Sequence, residues 1–246
     1  MAARVSAARV RDGQSVAAVH ERLRAAILRG EIEAGALTTQ ARLGGAFAAG
    51  RTPLREALRL LQREGLVIAE PNQRVRIATL SPADAEELFT MRIPLEVVAL
   101  RITVPTLTSN DVAQLEGYLA QMRHYEQLDD QAGFGAPHRA FHQLLVAAAG
   151  ARVTAEIAEL ADHSERYRLR FGGVGRWEER RGEHRAILGA AAAGDVDRAA
   201  ERLAAHYAHA AALVFDGLDP RRDLTRLRTA IRAVAPGAEA ALVTAC

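Results

Sequence analysis

The run Arg51-Thr-Pro-Leu-Arg-Glu-Ala-Leu58 leaves little choice but a short helix with different chemistry on two faces. Pro53 suits a first helical turn, where its missing N–H has no partner to lose. Leu54, Ala57, Leu58 and Leu61 then share one face at helical spacing. Arg51, Arg55 and Arg59 recur every four residues on another face, and Gly65 ends the run as a C-terminal cap. The apolar side requires a scaffold. The guanidinium side has the reach and fork geometry to meet phosphates and guanine edges in a major groove. A solvated surface helix shows the same pattern, so the flanking segments decide.

Those segments supply a scaffold. Ser15 can cap a helix carrying Val16, Val19, Leu23 and Ile27, stopped at Gly30. A weaker helical stretch runs from about Thr39 to Phe47, and Ala48-Ala49-Gly50 connects it to the arginine helix. Downstream, Leu66-Val-Ile-Ala69 and Val75-Arg-Ile-Ala78 read as two strands around the turn Glu70-Pro-Asn-Gln-Arg74. Three helices followed by a hairpin make a winged helix-turn-helix. Residues 1–80 hold 13 Arg against 7 Asp and Glu, whereas residues 81–246 hold 19 Arg against 23 acids. The net charge of +2 therefore hides a basic module on an acidic body, which suits contact with a polyanion at one end only.

The rest of the chain reads as helix almost throughout, so the fold class is mainly α. No apolar run is long enough to span a bilayer, and no apolar h-region follows the charged residues 1–14. Cys246 has no cysteine to pair with in the chain. The expectation is a soluble cytoplasmic protein. Ser81-Pro-Ala-Asp84 opens a helix carrying Leu88, Met91, Leu95 and Val98. Thr108 or Ser109 opens the next, and further helices are expected over roughly 131–149, 152–171, 177–193 and 195–216, packed as an antiparallel bundle. Gly172-Gly173-Val174-Gly175 follows a helix rather than a strand, so it reads as a loop and not as a phosphate cradle. A last basic helix is expected over 219–232, and a loose tail over 235–246.

Four histidines stand apart. His138 and His142 lie four apart and share a helix face, while His184 and His206 fall on two later helices. In a bundle their imidazoles can meet around one metal ion; ordinary hydrogen-bonded histidines are the alternative. An enzyme built on them lacks a base, since no glutamate stands between His138 and His142, and no Ser or Cys nucleophile is placed beside a histidine.

The order and spacing of Gly30-Glu-Ile-Glu-Ala-Gly35, Arg51-Thr-Pro-Leu-Arg-Glu-Ala-Leu58 and Glu64-Gly-Leu-Val67 resemble the DNA-binding domain of GntR-family bacterial transcription regulators. Residues 81–216 resemble the FCD-type effector domain of the FadR-like subfamily, through Arg92-Ile-Pro-Leu-Glu96, Phe141-His142, Glu183-His-Arg-Ala-Ile-Leu188, Gly194-Asp195 and His206. The resemblance implies an N-terminal arm (1–14), a winged helix-turn-helix (15–79), an effector-binding and dimerisation domain (80–218) and a C-terminal extension (219–246). It implies DNA contact by Arg51, Thr52 and Arg55, with Arg59 and the wing residue Arg74 as further candidates. It implies a homodimeric repressor that binds double-stranded operator DNA and answers to a small carboxylate effector.

It also implies a divalent metal held by His138, His142, His184 and His206, the first standing where the family usually has Asp. That exchange removes a negative charge and favours Zn or Ni over Mn or Mg. Arg92, Arg168 and Arg170 are candidates for the effector carboxylate. Arg92 can instead pair with Glu96 one turn on, and Arg168 and Arg170 lean towards the surface. Three further departures stand out: Ala48-Ala49-Gly50 replaces the usual Gly-Val-Ser, Arg74 stands where the wing usually has glycine, and Ala151 replaces a common Asn.

Overall fold

The structure, a computed structural model, describes residues 15–171 and 177–242, without the side chains at 131, 132 and 177–181. The arm at 1–14, the glycine cluster at 172–175 and Cys246 lie outside the described residues. The chain divides into two compact units, Met1–Leu80 and Ser81–Cys246.

The first unit begins with α1 (Val16–Leu28), whose N-cap Ser15 accepts from the Ala18 N–H. Strand β1 (Leu37–Thr39) follows, then α2 (Gln40–Ala46) and α3 (Arg51–Arg63). Strands β2 (Val67–Glu70) and β3 (Arg74–Ile77) complete a three-stranded antiparallel sheet in the order β1-β3-β2. β1 was not expected. Its three residues carry no alternation of their own, and it forms because Thr38 and Thr39 pair with Val75 and Arg74 of the wing. Val19, Leu23 and Ile27 pack against Leu54, Leu58, Leu61 and Leu66, so the apolar face of α3 is the core of this unit.

Two turns fix how α3 and the wing are presented. Asn72 and Gln73 both take positive φ (59° and 57°), the backbone pair of a type I′ hairpin turn. The wing therefore closes without glycine, through left-handed Asn72 and Gln73. Before α3, Ala48 sits at φ 47°. A Cβ in that left-handed region costs roughly 1–2 kcal/mol. Ala48→Gly should therefore stabilise the unit by about 1 kcal/mol, read as a higher denaturant midpoint at unchanged slope. Gly50, the N-cap of α3, provides no side-chain hydrogen bond, the direct consequence of glycine standing where a serine is usual.

The second unit is helical. It comprises α4 (Pro82–Thr103), α5 (Ser109–Gln127), α6 (Gln131–Leu145), α7 (Ala151–Phe171), α8 (Trp177–Ala192), α9 (Val196–Leu218) and α10 (Thr225–Val234), with 3-10 turns at Val104–Thr106, Ala147–Ala149 and Pro236–Ala241. Ser81 caps α4, and Thr108 with Asp111 forms a capping box on α5. α9 is central, lying against α4, α7 and α8, while α5 packs on α6. Its buried face mixes Ala200, Ala204, Ala208 and Ala211 with Leu203, Tyr207 and Phe215. Alanine both favours the helix and lets neighbouring helices approach closely.

The loose tail expected over 235–246 is corrected as far as the described residues reach. Ala235, Ala238 and Leu242 are buried, and the Gly237 N–H donates to Glu201 of α9. α10 lies on α4 with Leu227 and Ile231 inside. Small apolar residues spaced along a short 3-10 turn leave no helical or strand period, which is why sequence reading missed them.

Candidate functional site

Two places in the molecule gather chemistry, one in each unit. In the first, Arg51, Thr52, Arg55, Arg59 and Arg74 are all exposed. Arg59 is paired with Glu56 at 2.8 Å, whereas among the described residues Arg51, Arg55 and Arg74 enter no ion pair. The carboxylate at the other end of α3 serves the scaffold: Glu64 accepts from Arg24 at 2.9 Å and from His20 at 2.5 Å, tying α3 to α1. Arg51 and Arg55 line an open cleft of about 680 Å³ together with Gln40, Ala41, Gly44 and Gln73. Gln40 and Gln73 were not expected there. Both are polar residues at turns, and only the fold shows that the wing tip and the start of α2 flank the arginines.

In the second unit, His138 and His142 of α6, His184 of α8 and His206 of α9 each direct a ring nitrogen to one point. The four nitrogens lie within 4.8 Å of one another. The ring centroids of His184 and His206 are 4.4 Å apart, and those of His138 and His142 4.7 Å. His142, His184 and His206 are buried, and Phe134 stacks on His138 at 5.2 Å. Burial, then the neighbouring imidazoles of His142 and His184, pushes His138 well below the ordinary histidine pKa. It is therefore neutral, as a metal ligand must be.

Hydrogen bonds behind the cluster fix its tautomers. Tyr207 donates its hydroxyl hydrogen to Glu96, so the 2.9 Å contact to His142 Nδ1 is an N–H donated to the tyrosine oxygen. His206 Nδ1 lies 2.7 Å from Glu183, a carboxylate that can only accept. Both rings thereby carry a proton on Nδ1, which in the neutral imidazole leaves Nε2 as the lone pair. Among the described residues, the buried Nε2 atoms of His142 and His184 meet no hydrogen-bond partner. A set of imidazole nitrogens this close, two of them oriented from behind, fits a divalent cation that prefers nitrogen. Sequence reading did not single out Tyr207 and Glu183 as supports of the cluster, although each adjoins a candidate histidine in the chain.

The cluster opens on a cavity of about 90 Å³. Arg92 and Arg168 are in its wall, with Gln143, Ser164 and Glu165. Arg92 makes the expected pair with Glu96 and also lines the cavity. It pairs with Glu96 at 2.6 Å, donates to Ser164 at 2.5 Å and lies 4.4 Å above the Tyr207 ring, yet still faces the cavity. The pair with Glu96 is not a surface contact, because the Glu96 side chain is only 1% exposed. Burial alone would lower the Arg92 pKa, but Glu96 and Tyr207 outweigh it and hold the guanidinium firmly charged. Arg168 is corrected from the surface to the cavity wall, where Glu165 holds it. Arg170 does not reach the cavity. It is exposed, with its guanidinium 5.5 Å from the Phe171 ring.

Comparison with known proteins accounts for both units. The description of bacterial regulatory proteins of the gntR family matches residues 15–77, and that of the FCD domain matches residues 87–209. The chain is 26% identical to the HTH-type transcriptional regulator YdhC of Bacillus subtilis (strain 168) over 194 residues, which cover 77% of this chain and 86% of that protein. It is 25% identical to the HTH-type transcriptional repressor GlaR of Escherichia coli (strain K12), over 73% of this chain and 86% of that one. The solved structure of E. coli McbR/YncC shares the fold with a TM-score of 0.73 at 20% identity, covering 81% of this chain and 96% of that one. Among the described residues no helix is long and apolar enough to cross a membrane. With a helix-turn-helix unit joined to an FCD domain, the chain belongs to the GntR family of bacterial regulatory proteins and is a transcription regulator, not an enzyme.

Proposed function

We propose that this regulator is a homodimeric repressor whose hold on its operator is loosened by a small carboxylate bound beside a metal ion. The observation that carries the reading is the convergence of four imidazole nitrogens within 4.8 Å at a cavity walled by three arginines, Arg92, Arg139 and Arg168. His138, His142, His184 and His206 would hold the ion, Zn or Ni rather than Mn or Mg. A divalent ion among four neutral ligands would supply an uncompensated double charge, which draws a carboxylate. Arg92 and Arg168 then orient that carboxylate from the opposite wall. On the DNA side, α3 enters a major groove with Arg51 and Arg55 at base edges, while Thr52, Arg59 and Arg74 meet the backbone. Repression is the sign carried by the name of GlaR, a relative over most of its length. Effector binding alters DNA affinity only by favouring one arrangement of the two DNA-binding units.

A two-fold reader needs two copies, and α4 offers a face for the second. Met91, Val98 and Ile102 are 53%, 47% and 47% exposed, with Leu95 half-buried between them. The spacing of four, three and four residues makes a heptad-like apolar seam that an identical helix can match about a two-fold axis. A seam this long is unusual on a monomer. The wild-type chain should sediment at twice its 26.5 kDa, and Val98→Glu at the mass of one chain.

Capturing genomic fragments on immobilised, metal-loaded protein tests the function itself. The retained fragments should share a two-fold-symmetric sequence and be released by a short carboxylate. Fragments without a common sequence, or release by no carboxylate, would refute the reading.

A further inference from the structure

The charges lining the cavity are already matched within the protein. Arg92 is held by Glu96, Arg139 by Asp162, and Arg168 by Glu165. The three carboxylates are not equally committed. Glu96 is buried and also accepts the Tyr207 hydroxyl, so it is tied into the support of His142. Asp162 is buried and lies outside the cavity wall. Glu165 stands in the wall itself, with a side chain 23% exposed, and its contact is with Arg168 three residues on. Both of its oxygens are engaged, one by Arg168 Nε at 2.6 Å and the other by a terminal guanidinium nitrogen. Glu165 is also close enough to Arg92 to add, after Glu96 and Tyr207, to the charge that keeps that guanidinium protonated.

A carboxylate gripped at both oxygens by one guanidinium fork is the geometry an effector carboxylate would adopt on Arg168. We propose that Glu165 is a built-in substitute for the effector's carboxylate, occupying the Arg168 subsite until an anionic ligand displaces it. This rests on reading the cavity as a carboxylate site. The two partners lie three residues apart on one helix and remain partly exposed, so their pairing is a local contact that yields to a ligand also anchored elsewhere in the cavity. A neutral ligand forms no charge pair with Arg168 and so leaves Glu165 in place. Glu165 thus acts as a filter on ligand charge, through Arg168, and as a positioning residue rather than a ligand of the metal.

The test uses the full-length protein loaded with Co²⁺, whose visible spectrum reports ligands entering the site. Acetate, succinate and the neutral amide acetamide are titrated into wild type, Glu165→Gln and Glu165→Asp. Removing the competing charge in Glu165→Gln should tighten binding of at least one of the two carboxylates by about threefold to tenfold and leave acetamide unchanged. Glu165→Asp, charged but shorter, should fall between Glu165→Gln and wild type. Glu165→Gln binding both carboxylates equally well or more weakly than wild type overturns the proposal, because Glu165 would then merely brace Arg168. An equal change for acetamide and the carboxylates also overturns it, since only the cavity's shape would have altered. If wild type and both variants load Co²⁺ but respond to no carboxylate, the effector reading itself falls, and this proposal with it.

Discussion

Zn²⁺ added to metal-free wild-type protein is expected to raise its thermal midpoint, and His184→Ala is expected to abolish most of that rise. An ion present at a hundred times its dissociation constant stabilises the folded state by about 2.7 kcal/mol. In a chain of this size that corresponds to a shift of roughly 5–10 °C. His184 and His142 are chosen because each places a buried Nε2 in the cluster. Losing either should weaken Zn²⁺ binding by about a hundredfold or more, since even residues behind metal ligands contribute about tenfold to a hundredfold. Tyr207→Phe should fall in that lower range. It leaves all four imidazoles but removes the oxygen that accepts from His142. The readout is the metal-dependent shift within each variant, so a cost to the apo fold does not disguise the result. Equal shifts in wild type and His184→Ala would mean that Zn²⁺ binds elsewhere.

Arg51→Ala and Arg55→Ala should each weaken operator binding by about fivefold to a hundredfold, the range for one arginine lost from a guanine edge. Neither variant should unfold the protein. Both side chains are exposed, and the helix is held from its other face by Leu54, Leu58 and Leu61. Arg74→Ala should act differently, lowering affinity on all sequences alike and reducing the salt slope by about one. Arg59 already neutralises Glu56, so its removal should cost least among the four arginines. Fluorescence anisotropy against a captured operator, repeated at several salt concentrations, separates these outcomes. Wild-type affinity in both Arg51→Ala and Arg55→Ala would remove α3 as the reading element.

Features of the fold that repeat along the chain were legible in the sequence. The leucines of α3 and the caps at Ser15, Ser81 and Thr108 declare their elements locally, because helical period and capping involve neighbours in sequence. β1 did not declare itself, since Leu37-Thr-Thr39 becomes a strand only through its partner β3. The tail failed for a related reason: Ala235, Ala238 and Leu242 show their role only once α4 and α9 are beside them. At the candidate metal site, the four histidines could be named from motif positions, and the structure brings all four together. Tyr207, Glu183 and Glu165 could not be singled out, because a tyrosine or glutamate acquires such a role from burial and a distant partner. The same limit explains the arginines. Arg168 and Arg170 are two residues apart with the same chemistry, and only the packing of α7 sends the first into the cavity and the second to solvent.

The central claim is that the histidine cavity governs DNA affinity. It is tested most directly by operator titration of Zn²⁺-loaded wild type and His184→Ala, each with and without a carboxylate recovered as active in the capture experiment. The carboxylate should weaken operator binding by wild type about fivefold or more and leave His184→Ala unmoved. Superimposable curves for wild type with and without the ligand, or an equal response in His184→Ala, would contradict it.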